Sequence, residues 1–204
     1  MVHYTKTGVF STKQRIGVLH MVVRGNERVP FGYEPEKEDH SAKGTLIVYD
    51  DFESWEAGDA GHLVSWAIAK RMARVVWYPL HEETVRRMGT GPVRPYYRRL
   101  EELQAWVEEA AAGNIRQTVE EWEGKRKKYT PMDTALRFIA DKYPAPYFLC
   151  VSGKTANLFA GYSSFDEWIR KIRLVIKPSQ GSQSLHPKLR QSEHRWELLD
   201  GPRP

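Results

Sequence analysis

Residues 147–159, YFLCVSGKTANLF, decide how the second half of the chain is put together. An apolar run stops at Ser152-Gly153-Lys154-Thr155, and two local structures compete for the residues beyond it. A phosphate-cradling loop needs a glycine five positions before Gly153, with a helix opening at the Lys-Thr pair. Phe148 occupies that position. The next helix-start signal lies downstream, where Ser164 and Glu167 have capping-box spacing. A hairpin turn, with Gly153 in the left-handed region, accounts for the same residues. The sequence therefore predicts a strand over 145–151, a hairpin partner over 157–162, and a helix from Ser164 to about Val175.

Outward from this stretch, TLIVYDD (45–51) is the clearest strand, four apolar or aromatic residues after Thr45 stopped by two aspartates. Upstream of it, partly alternating β-branched runs around Gly25-Asn26 predict antiparallel strands, with a polar loop over 31–44. Downstream, AGHLVSWAIAKRMARVVWYPL is apolar on most faces as far as Pro79 and predicts a central buried helix. A short helix ending at Gly89 comes next, then one from Pro95 to about Ala112, one capped by Asn114 and stopped at Gly124, and one opened by Thr130-Pro131. The pattern reads as α+β: amino-terminal antiparallel strands, a central helical bundle-like region, and a carboxyl-terminal β-hairpin plus helix. Residues 1–177 form one domain, β-rich over 1–51, helical over 59–143 and hairpin-plus-helix over 146–176. Residues 178–204, rich in Ser, Gln, Gly and Pro, form a tail that is flexible or docked through Trp196, Leu198 and Leu199.

Composition narrows the function classes. Twelve per cent aromatic residues, with seven tryptophans, argue for an aromatic-rich core and against disorder. The single cysteine, Cys150, excludes a disulfide framework and a multi-cysteine zinc site. No apolar signal core opens the sequence and no stretch is long enough to span a bilayer, so a cytoplasmic protein without membrane partners is expected. Charge is unevenly spread: residues 1–65 carry seven Lys/Arg against ten Asp/Glu, a net −3, and the remaining chain carries +8. A basic excess confined to one part of a chain points to an anionic partner.

Two clusters carry candidate chemistry. The basic one comprises Arg94, Arg98 and Arg99 at a helix start, Lys125, Arg126, Lys127 and Lys128 in a connector, and Tyr97 placed to stack on a base. Cations at a helix amino terminus run against the macrodipole, which suggests that an anion is met there. The acidic cluster is Asp50, Asp51 and Glu53, where a strand ends and hard cations find rigid oxygen donors. The seven histidines show no ligand spacing, and Cys150 lies in an apolar run. The expectation is a nucleic-acid-binding accessory or regulatory protein without catalysis of its own, contacting the phosphate backbone of DNA in preference to RNA. It assigns no catalytic residue, metal ligand or cofactor. Two alternatives are a divalent-metal nuclease or phosphotransferase built on Asp50 or Asp51 with Glu53, and a protein-interaction module using Trp196, Leu198 and Leu199 of the tail.

Overall fold

Thr45–Asp50 form a strand, β1, in which every residue is buried, and that single fact already constrains the architecture. A strand covered on both faces belongs inside a sheet with helices above and below, the usual setting of parallel strands. The structure, a computed structural model, describes residues 44–110, 115–178 and 184–199. The antiparallel strands expected before residue 44 lie outside the described residues. Of the two compact units, Met1–Lys37 and Glu38–Pro204, the second contains all the described elements.

In chain order the elements are β1, α1 (Ala57–Ala69), β2 (Arg74–Pro79), α2 (Glu82–Met88), α3 (Tyr96–Glu109), β3 (Arg116–Val119), α4 (Trp122–Arg126), α5 (Met132–Lys142) and β4 (Tyr147–Ser152). Then come α6 (Gly153–Gly161), α7 (Phe165–Lys171), β5 (Ile172–Lys177), α8 (Pro187–Gln191), a short turn of 3₁₀ helix, and β6 (Trp196–Leu198). All six strands pair in parallel, in the order β3-β2-β1-β4-β5-β6. The chain winds outward from β1 to β3, crosses back to β4, and winds outward again to β6.

The α+β expectation is therefore corrected: strands and helices alternate in a doubly wound α/β sheet. Each correction has a local cause. The long buried helix expected through Pro79 stops at Ala69, and Arg71 turns the chain with φ 55°. The β-branched and aromatic residues Val75, Val76, Trp77 and Tyr78 then form β2. The helix expected after Asn114 is the edge strand β3 followed by the short α4. The final helix ends at Lys171, and Ile172, Leu174 and Ile176 alternate along β5. Ser164 makes no side-chain cap to α7. The hairpin is replaced as well. Ser152 Oγ accepts the Thr155 N–H at 3.2 Å and caps α6, which opens directly at Gly153. Within the stretch read as a tail, residues 184–199 supply α8 and β6, with Trp196 and Leu199 buried.

Two apolar cores flank the sheet. One holds Ile47, Tyr49, Val76, Tyr78, Leu149 and Leu174 against α2, α5, α6, α7 and α8. The other holds Leu46, Val48, Val75, Trp77, Cys150 and Val175 against α1 and α3. The period-two alternation of side chains assigns each strand residue to one face or the other.

Candidate active site

Where the strand order reverses, between β1 and β4, the helices that follow the two strands, α1 and α6, pack on opposite faces of the sheet. Open α/β sheets bind their ligands at this position. Pro79 of β2 lies level with Asp50 of β1, and Ser152 of β4 lies level with Lys177 of β5. Val48 pairs with Cys150, so Asp50 and Ser152, two residues further on, are level with each other. Asp50, Ser152 and Lys177 thus form a polar row across the switch point. All three fall on the α1 face, as the residues two positions before them, Val48, Cys150 and Val175, do.

Asp50 is 7% exposed and accepts the Phe52 N–H at 3.2 Å. Burial, reinforced by the neighbouring Asp51 carboxylate, pushes its carboxyl up to about 7, with Lys177 opposing the rise. A carboxyl at that value exchanges its proton at neutral pH, as a general acid or base requires. The turn that carries it is tightly held. Phe52 is fully buried at φ 60°, and its ring packs on Trp55 and Trp77, at centroid distances of 5.2 and 6.1 Å. Asp51 Oδ1 accepts the Glu53 N–H at 2.9 Å.

The basic cluster divides into three kinds of residue. Arg99 is completely buried. Its guanidinium donates to the carbonyls of Arg94 at 2.8 Å, Leu80 at 2.9 Å and Asp51, tying the ends of β1 and β2 to the start of α3. It is a structural clamp and is closed to a nucleic-acid phosphate. Arg94 is engaged with Glu53 at 2.9 Å and Glu102 at 2.6 Å. Burial pushes the Glu53 carboxyl up, but the hydrogen bonds and charge of Arg94 outweigh it and hold Glu53 below the ordinary carboxylate range. Arg98 lies along the exposed Tyr97 ring at 5.8 Å, and Arg126 lies over Trp122 at 4.5 Å. Lys125, Lys127 and Lys128 are exposed. The structure does bring the two basic segments together, since Gly124 abuts the Tyr96 ring so closely that a Cβ there would stand 2.3 Å from Tyr96 Cε1.

Sequence reasoning missed Glu123. It is fully buried, and its Oε2 accepts the His81 N–H at 2.8 Å. Burial pushes its carboxyl up to about 7. The Tyr78 hydroxyl lies near enough for the two groups to raise and lower each other's proton affinity, yet neither that hydroxyl nor Glu123 Oε1 has a hydrogen-bond partner of good geometry. A glutamate in a basic loop (EGKRKKY) carries no local signal of burial. Among the described residues no group of three or more His, Cys, Asp or Glu side chains is arranged to hold a metal ion, and no helix is long and apolar enough to cross a membrane.

The sequence matches no family model and no curated protein. Among solved structures the chain is similar to Plasmodium falciparum nicotinic acid mononucleotide adenylyltransferase complexed with NaAD, with a TM-score of 0.59 at 9% sequence identity. The match covers 79% of this chain and 77% of that one. It establishes the fold, a Rossmann-like α/β sheet. An all-parallel sheet in a fold shared with a nucleotidyltransferase stands against the expectation of a regulatory DNA-binding protein without catalysis.

Proposed function

We propose that the chain is a nucleotide-handling enzyme whose reaction centre lies at the carboxyl ends of β1 and β4. The observation that carries this reading is Asp50: a nearly buried carboxyl, with its proton affinity near neutrality, at the topological switch point of an open parallel sheet. Where the attacking group is a hydroxyl or a water, transfer of a phosphoryl or nucleotidyl group takes a proton off the attacking oxygen. Asp50 is poised to accept it. The similarity to an adenylyltransferase solved with NaAD supports a nucleotide as ligand class. The opening of α6 at Gly153 supports it too, because the free N–H groups of a helix start favour a phosphate. The cytoplasm, as the compartment of nucleotide metabolism, is the proposed location.

One observation favours a nucleotide presented on a strand of nucleic acid. The exposed aromatic side chains Tyr97 and Tyr129 each have an arginine against the ring, Arg98 and Arg87, both at 5.8 Å. The exposed Lys125, Lys127 and Lys128 lead along the chain to Tyr129, and Arg99 fastens the start of α3 to the strand ends. DNA before RNA is the proposed strand, and a protein partner would meet the carboxyl-terminal segment.

The test is a thermal-shift and turnover panel of mononucleotides, dinucleotides and short oligonucleotides, with and without Mg²⁺, on the wild-type chain and Asp50→Asn. At least one nucleotide should stabilise both proteins, while phosphate or pyrophosphate release is lost only in Asp50→Asn. If nothing in the panel stabilises the wild-type chain, or if Asp50→Asn turns over at the wild-type rate, the reading fails.

A further inference from the structure

Lys177 is the last residue of β5, one strand beyond the switch point on the side away from β1. It shares the α1 face of the sheet with Asp50 and lies level with Ser152. A lysine at a strand end usually extends into water, but this one does not. Its side chain is 19% exposed, and its ammonium lies 3.0 Å from Asp59 Oδ2 and 4.0 Å from the centre of the Trp55 ring. Both contacts lead back to the turn between β1 and α1. Trp55 packs on Phe52 and on Trp77. Asp59 forms the capping box at the start of α1, where the same Oδ2 accepts the Glu56 N–H at 3.1 Å. The side chain at the end of β5 therefore fastens the turn between β1 and α1, which begins at Asp50.

We infer that Lys177 is the positioning residue for the Asp50 carboxyl: from the end of β5 its ammonium ties down the turn that carries Asp50 and supplies the counter-charge against which that carboxyl exchanges its proton. This rests on the role proposed for Asp50 and adds the group that tunes it. The charged and titratable groups around Asp50 are few. Asp51 adjoins it on the same turn and raises its proton affinity, and Lys177 lowers it. Asp59 and His62 lie on α1, and Asp59 draws off part of the lysine's charge. Arg99 bears on Asp51 from α3. Among these, Lys177 is the cation that opposes the effect of burial on Asp50, and it is held in place by an aromatic face and a carboxylate. The Phe52 N–H and, after it, Lys177 hold the proton of this carboxyl less tightly than burial beside Asp51 alone would. A phosphate bound at these strand ends would compete with Asp59 for the same ammonium, so ligand binding and the proton affinity of Asp50 would be coupled through one side chain.

The experiment tracks the carboxyl-carbon NMR signal of Asp50 through a pH titration of the full chain, assigned by its absence in Asp50→Asn. Wild type is compared with Lys177→Met, Lys177→Arg and Asp59→Asn, each first checked for a retained amide fingerprint. In Lys177→Met the Asp50 midpoint should rise. Lys177→Arg should keep it near the wild-type value, and Asp59→Asn should lower it. An unchanged midpoint in Lys177→Met, or an arginine variant that behaves as the methionine one does, overturns the inference. If Lys177→Met loses its fold, Asp59→Asn decides: a midpoint that does not fall refutes the proposal. None of these readouts needs a substrate. A shifted midpoint in a chain that binds no nucleotide would leave the inference standing and sink only the enzymatic reading.

Discussion

Replacing Glu123 with glutamine tests whether a buried carboxyl is costing the fold stability at neutral pH. Glu123 is fully buried, and its carboxyl sits at about 7 against an ordinary 4.5. The folded chain therefore holds this proton more tightly than the unfolded chain does. Between pH 4.5 and about 7 the folded state binds more protons, so stability falls as pH rises through that window and levels off above it. The two proton affinities differ by about 3 kcal/mol, which bounds the loss. Glutamine keeps the acceptor for the His81 N–H, offers the Tyr78 hydroxyl a neutral amide partner, and cannot ionise. Asp50 contributes a loss of the same sign, while Glu53 and Asp133, held below their ordinary values, act in the opposite direction at lower pH.

The assay is urea unfolding of the wild-type chain and Glu123→Gln at about pH 5 and about pH 8, with the slope of the transition checked for constancy. Wild type should lose stability between the two pH values, and Glu123→Gln should lose about 2–3 kcal/mol less. At the higher pH the variant should also melt roughly 5–10 °C above wild type, since a kilocalorie moves the midpoint of a chain this size by about 2–4 °C. Parallel pH profiles for the two proteins would refute the reasoning. They would mean that Glu123 is solvated or paired in the native state and that its proton affinity is ordinary.

Two further substitutions test the framework that carries the site. Arg99→Met removes the donor to three carbonyls, that of Leu80 buried and those of Arg94 and Asp51 part-buried, and should cost about 1–3 kcal/mol in urea unfolding. Lysine should not rescue it, because one ammonium cannot reproduce the fork, whereas Arg98→Ala, on the exposed side of the same turn, should stay within about 0.5 kcal/mol of wild type. Gly124→Ala places a methyl group 2.3 Å from Tyr96 Cε1 and should cost about 1–3 kcal/mol. The double variant with Tyr96→Leu should lose less than the sum of the single effects, as expected where two side chains occupy one space.

The elements legible in the sequence are those whose signals are local. Gly89 takes φ 66° at the end of α2, Pro95 caps α3, and α5 has an apolar stripe of Met132, Ala135, Leu136 and Ile139. β1 coincides with the strand expected over 45–51, since its apolar run is cut off by two aspartates. The elements hidden in the sequence are parallel strands next to helices. Four residues separate β2 from α1, and β5 adjoins α7 with none between, so each reads as more of the same apolar segment. A strand covered on both faces lacks the alternation that would separate it from a buried helix. Its hydrogen-bond partners are remote as well: Thr45 pairs with Arg74 on one side and with Tyr147 on the other. The site shows the same division. Asp50, Asp51 and Glu53 stand out in the sequence as acids at a strand end. Arg99 looks identical to Arg98 until the fold buries one and exposes the other.

The decisive difference is the Ser152-Gly153 junction. Two objections count against a phosphate loop there, a missing glycine at position 148 and the lack of a helix at Lys154-Thr155. The structure removes the second and keeps the first. As a hairpin, the segment would lay β4 beside its own continuation, with two turn residues for a function. Opening directly into α6, it sends the chain over the face opposite α1, and β4 is free to pair in parallel with β1 on one side and β5 on the other. That pairing creates the strand-order reversal and puts Ser152 level with Asp50. It also places Lys177 one strand further along. The helix that begins at the site is capped there by Ser152 Oγ on the Thr155 N–H. Ser152→Ala should cost about 1 kcal/mol in urea unfolding, and amide exchange should quicken at the start of α6 before it does in the distant edge strands β3 and β6; uniform exchange would refute the local role of the cap.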